Sequence, residues 1–299
     1  MRIVSIGEIL WDVFAGSEHL GGAPFNFAAH ASRLGNEVIF LSAVGTDHHG
    51  SLALARVAEV GLPSRFVRRV PDQPTGFVSV ELCADNQPRY VIHRPAAYDF
   101  LRLDAADYDE ISKWRPDWVY YGTLHQVHPL GRRSTDQLLA KCPAAKRFYD
   151  VNLRVDSYTA DLVLALLETA DVVKLNESEV GVIAQIVGNA PISLERFCRQ
   201  CAPKFGWEAV CVTRGAEGCA LLVGGQYVEA AGHAVKVRDP VGAGDAFAAG
   251  FLHGLASGWP INEIADFANR LGALVASREG AVPWLEPEEL RSLARRTEP

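Results

Sequence analysis

The chain has 299 residues, 48% hydrophobic and 22% charged, which excludes a disordered, collagenous or coiled-coil main state. Its 29 basic and 36 acidic residues leave a formal charge of −7, so no basic footprint is offered to nucleic acid or to an anionic membrane, and neither is expected as a partner. No stretch reaches the roughly 18 apolar residues of a membrane span. Glu8 and Asp12 interrupt the apolar N-terminus that a signal peptide would need, so a cytoplasmic location is expected. Six cysteines do not make a disulfide scaffold, and the lone C-x-x-C of Cys198 and Cys201 lacks the second ligand pair of a zinc site; both read as reduced thiols.

In chain order, residues 2–6 read as a short buried strand and 23–34 as a helix stopped by Gly35. Residues 37–44 are β-branched and apolar, hence a strand; 48–60 read as a helix ending at Gly61. Further apolar strands fall at 117–121, 146–151, 171–175 and 208–213, with helical patterns between them. Strands alternating with helices predict a parallel sheet covered on both faces. Residues 64–100 break the rhythm: Val78, Val80 and Leu82 alternate with Ser79 and Glu81, a turn signal follows at 85–88, and RYVIH reads as a second strand. A single domain, 1–299, is expected, with a small β lid formed by about 10–22 and 64–100. The lid is also a candidate homodimer surface.

Four segments carry chemistry. In DPVGAGDAF (239–247), Gly242, Ala243 and Gly244 leave backbone N–H groups uncovered where a helix begins, a site for an anion. Asp245 sits in the same turn, where a carboxylate can take a hydroxyl proton while the N–H groups hold charge on a phosphoryl group. In GGAPFN, Gly21 and Gly22 let a polyol approach the backbone and Asn26 can both donate and accept. In KLNESE, Asn176 and Glu179 lie three apart, on one helical face, suited to water ligands of Mg²⁺. VTRGAEG (212–218) is a strand-to-turn segment open to a nucleotide. His125 and His128 form an H-x-x-H with no third metal ligand placed by sequence. His30, one turn beyond Asn26, reads chiefly as a packing histidine.

Together, in this order, these segments resemble the ribokinase-like sugar kinases, also called the PfkB carbohydrate kinases, over nearly the whole chain. GEILWD, LGGAPFNFAAHASRLG, VGTDHHG, YDVNLR and KLNESE look most like the fructokinase branch. The resemblance implies a three-layer α/β/α sandwich with a mainly parallel central sheet and a small β lid. It implies ATP, Mg²⁺ and a sugar substrate, with Asp245 as the base and Gly242, Ala243 and Gly244 as the anion hole. Asp12, Gly22 and Asn26 would bind sugar hydroxyls, with Arg94 and Asp99 bordering them from the lid. Asn176 and Glu179 would organise Mg²⁺ and phosphates, and Thr213, Gly215, Gly218 and Asn269 the nucleotide. Asp239, Val241, Val275, Arg278 and Gly280 match a loop that often holds K⁺ in such kinases. D-fructose is the expected substrate. The alternatives are 2-keto-3-deoxygluconate, whose carboxylate Arg94 or Arg154 would clamp, and a sugar- or nucleotide-binding sensor without catalysis. Pro240 stands where the family usually has Thr, and Phe25 where a small residue is usual before Asn26.

Overall fold

The computed structural model describes residues 1–14, 17–82, 88–188 and 193–294. Its strands are β1 Arg2–Ile6, β2 Leu10–Phe14, β3 Ser17–Gly21, β4 Glu37–Gly45, β5 Val67–Val70, β6 Gly76–Leu82, β7 Pro88–His93, β8 Trp118–Gly122, β9 Lys146–Asp150, β10 Val172–Asn176, β11 Ala209–Thr213, β12 Cys219–Val223 and β13 Gln226–Ala230. Its longer helices are α1 Ala23–Arg33, α2 His48–Glu59, α3 Ala105–Trp114, α4 Pro129–Lys141, α5 Ala160–Thr169, α6 Glu177–Ile186, α7 Leu194–Phe205, α8 Ala243–Ala256, α9 Ile261–Ala276 and α10 Pro287–Ala294. No helix among the described residues is long and apolar enough to cross a membrane.

Nine strands form one sheet in the order β13-β12-β11-β10-β9-β8-β1-β4-β5. All neighbours are parallel except β11–β12 and β12–β13. Alternation along each strand divides the interior into two layers. Val4, Val119, Tyr149, Val173 and Val210 face the layer closed by α3 to α7. Ile3, Tyr120, Phe148, Val172 and Cys211 face the layer closed by α1, α2, α8 and α9. Both faces of the strands are therefore buried, which is why their sequences run apolar without a polar phase. This is the expected α/β/α sandwich.

Strand order reverses at β1, which has β4 on one side and β8 on the other. Ligand crevices of open α/β sheets form outside the carboxyl ends of strands at such a switch point. A second sheet, β3-β2-β6-β7, stands at that end, with Leu10, Val78, Ala96, Tyr98 and Leu124 packed together beneath it. The small sheet thus takes in 10–14, 17–21, 76–82 and 88–93 but not 64–70. Phe66 and Val67 are buried in the two main layers, and β5 extends the large sheet by pairing parallel with β4. Of the expected turn at 85–88, residues 85–87 lie outside the described residues.

Candidate active site

The first glycine of VGAGD is demanded by backbone geometry. Gly242 caps α8 with φ of +78°, and a Cβ there would lie 2.4 Å from the Ala281 carbonyl oxygen. Helix α8 begins at Ala243, so Asp245 falls in its first turn. The Ala243 N–H turns back onto Pro240 O at 3.3 Å, so it is less free than the sequence suggests. The N–H groups of Gly244 and Asp245 have no acceptor within the helix, as at any helix start.

Asp245 Oδ2 accepts from Asn26 Nδ2 at 2.8 Å. Desolvation, reinforced by the negative charge of Asp150, raises the Asp245 pKa to about 6; Lys174 and Asn26 oppose the rise. Asn26 is placed by Gly22, which precedes α1 with φ of +107° and sits so close to Glu8 that a Cβ would come within 2.6 Å of its carbonyl oxygen. Asp12, on β2, lies where a Cβ on Gly21 would be 2.8 Å from its Oδ2. Burial lifts its pKa to about 6, against the pull of Arg154 and His19.

Three charged groups escaped the sequence reading. Glu8 is 4% exposed, and desolvation lifts its pKa to about 7. Lys174 Nζ bonds both oxygens of Asp150, at 2.9 and 3.0 Å, near the VGAGD turn; a Cβ on Gly244 would lie 3.8 Å from that nitrogen. Tyr120 donates to Asp150 Oδ2 at 2.8 Å. The signal was present: an ionisable residue inside an apolar strand needs a partner, and YDV and VVKLN each hold one. The exposed Arg154 acts electrostatically on Glu8, Asp12 and Asp245, opposing the rise in each pKa.

Other expected residues divide. Asn176 ends β10 opposite Thr213 of β11, so both stand at the same sheet end. Glu179 is different: its oxygens accept from Leu153 N at 2.7 Å and Asn176 N at 2.8 Å, forming a capping box. It is 5% exposed. Gly215 is exposed, whereas Gly218 is buried against Ala230 to Gly232. Asn269 donates to Ala231 O at 3.2 Å and serves the same segment. Arg94 pairs with Asp99, which also accepts from Ala96 N at 3.1 Å and is 0% exposed. The two are paired with each other within their own loop.

Asp239 ties two segments together, accepting from Val241 N at 3.0 Å and Gly280 N at 2.9 Å. The Val275 carbonyl accepts from Arg278 N, and the Arg278 side chain pairs with Glu289. His128 Nδ1 accepts from Leu130 N at the start of α4, and His125 is buried, so H-x-x-H reads as structural. No group of three or more potential metal ligands occurs among the described residues. Cys198 and Cys201 are buried and unbonded.

A family model described as "pfkB family carbohydrate kinase" matches residues 4–287. The chain belongs to the PfkB carbohydrate kinases. It is 31% identical to a fructokinase of Escherichia coli, over 89% of this chain and 88% of the other. The fructokinase of Xylella fastidiosa with bound ATP superposes with a TM-score of 0.84 at 24% identity, covering 98% of this chain and 97% of that one. A double mutant of the Vibrio cholerae fructokinase, in its fructose-, ADP- and potassium-bound form, gives 0.78 at 25% identity over 94% of each chain. As a PfkB protein the chain is a sugar kinase, a phosphotransferase.

Proposed function

We propose that this kinase transfers the γ-phosphate of ATP to a primary hydroxyl of D-fructose. One observation carries the reading: Asn26 and Asp245, from two helices on one face of the sheet, meet at 2.8 Å at the helix start expected to receive phosphate. Asp245 takes the hydroxyl proton, and the N–H groups of Gly244 and Asp245 with the α8 dipole steady charge on the transferring group. Transfer is direct and in line, since positioning and electrostatics do most of the work in this chemistry.

The sugar end favours a neutral polyol. Glu8 Oε2 and Asn26 Oδ1 are buried without a hydrogen-bond partner among the described residues, leaving acceptors for hydroxyl groups. Glu8, Asp12 and Asp245 already raise the cost of negative charge there. Of the two arginines that would clamp an acid sugar, Arg94 is held by Asp99. Arg154 remains and supports the second reading, 2-keto-3-deoxygluconate. An intact Asp245 and its turn speak against a sensor without catalysis.

Magnesium fits this donor set through water and phosphate rather than through a cage of side chains: each Glu179 oxygen accepts one backbone N–H bond and keeps acceptor capacity for a metal-bound water. Asn176 and Glu179 would stand near it; when bound it neutralises charge on the β- and γ-phosphates. A potassium ion would sit beside Asp239 and the Val241, Val275, Arg278 and Gly280 backbone. Each Asp239 oxygen has one backbone hydrogen bond, so acceptor capacity is left for a hard cation. The test of the function is an ADP-release screen with Mg-ATP over fructose, ribose, tagatose, 2-keto-3-deoxygluconate and nucleosides. The largest kcat/KM is expected for fructose; a preference for the acid sugar hands the assignment to the second reading.

A further inference from the structure

The face of α1 that carries Asn26 continues with His30 and Arg33, four and seven residues on, so the three side chains share one side of the helix. Asn26 reaches the base. His30 Nε2 lies 2.9 Å from Ala281 O. Arg33 donates to Pro283 O at 2.6 Å, and Arg56 of α2 donates to Val282 O at 3.0 Å. Three consecutive carbonyls, 281 to 283, are thus each held by a side chain from a neighbouring helix. A carbonyl only accepts, so Nε2 of His30 carries the proton. Burial lowers the His30 pKa to about 4, so the ring is neutral at ordinary pH.

The held segment touches the catalytic turn. A Cβ on Gly242 would lie 2.4 Å from Ala281 O and 2.6 Å from its Cα, so the cap of α8 rests on the backbone that His30 grips. From the other side, Asp239 joins Gly280 to Val241. The cap is therefore seated between two restraints, and one of them originates on the helix that positions the sugar.

We propose that His30 is a positioning residue for phosphoryl transfer: by holding Ala281 against Gly242 it sets the first turn of α8 relative to the sugar hydroxyl that Asn26 orients. This rests on reading that turn as the phosphoryl site. A misplacement of about 1 Å can cost on the order of a hundredfold in rate, so a loosened cap acts on kcat.

Two variants of similar bulk test it. His30→Leu fills the space without a donor; His30→Gln retains an amide donor. With saturating sugar and Mg-ATP, His30→Leu is expected to lose about tenfold or more in kcat, with both KM values within about twofold. His30→Gln should recover most of the loss. Amide exchange at 242–245 and 279–283 should quicken in the Leu variant and not in the Gln variant. Three results overturn the proposal: Leu with more than half the wild-type kcat, equal losses in Leu and Gln, or a loss confined to KM. If His30→Leu does not fold, Arg33→Met loosens the same segment at Pro283, and an unchanged kcat there overturns it equally. A wild-type protein inactive on every sugar would instead defeat the kinase reading, which separates the two failures.

Discussion

Lys174 stands opposite Asp150 because β10 and β9 run parallel in that register, and its ammonium bonds both carboxylate oxygens at 2.9 and 3.0 Å. The two charges pull the Asp245 pKa in opposite directions: Asp150 raises it and Lys174 lowers it. The proposed base works deprotonated, so activity should fall as pH drops through the Asp245 pKa, raised to about 6. Lys174→Met should move the acid limb of kcat/KM to higher pH, and Asp150→Asn to lower pH. A pH-rate series on both variants checks this. Limbs that move together would leave the pair a merely structural one. Removing one partner of a buried pair costs roughly 3–5 kcal/mol, so both variants should also melt earlier.

Asn26→Ala removes the hydrogen bond to Asp245 and, in the proposed site, one to the sugar. Loss of a bond to a neutral hydroxyl costs about 0.5–1.5 kcal/mol, which should appear as a raised sugar KM. The ATP KM should hold, and kcat should fall as the base loses its alignment. Asn26 also lowers the Asp245 pKa, so the acid limb should rise slightly. Equal rises in the two KM values would place Asn26 outside the sugar site.

The small sheet stands at the carboxyl ends of the main strands, with Asp12 on its β2. If it closes over bound sugar and excludes water from the phosphate, amide exchange at 76–82 and 88–93 should slow when fructose is added. Protection equally strong without sugar points to a fixed interface between two copies instead.

Pro240 precedes the α8 cap and its carbonyl accepts from Ala243 N at 3.3 Å. Replacing Na⁺ by K⁺ should raise kcat several-fold, and Pro240→Thr should enlarge the activation, because proline already stiffens the loop. Initial rates at fixed ionic strength test both. Identical rates in the two salts, for both proteins, would remove the cation site while leaving Asp245 in place.

Much of this was legible in the sequence because local chemistry and tertiary structure agree. The runs 37–44, 171–175 and 208–213 are largely buried, and Gly21, Gly22 and Gly242 fall where φ is positive or a side chain would clash. The β12–β13 hairpin was missed although Gly224-Gly225 marks a two-residue turn, with φ of +55° and +81°. Residues 64–70 went to the wrong sheet because an edge strand with two arginines, VRRV, looks as polar as a lid strand. Asp150 and Lys174 were invisible as a pair because strand register, not sequence spacing, brings them together. The pairing of Arg94 with Asp99 was likewise invisible, because sequence shows charge and not its partner.

The most direct test of the account is the turnover of Asp245→Asn. The amide keeps the size of the side chain but cannot take a proton. Calorimetry should show sugar and ATP bound nearly as in the wild type, while kcat falls by roughly 10²–10⁴-fold, the usual contribution of a general base. A variant that keeps more than about half of the wild-type kcat would contradict the assignment of Asp245 as the base.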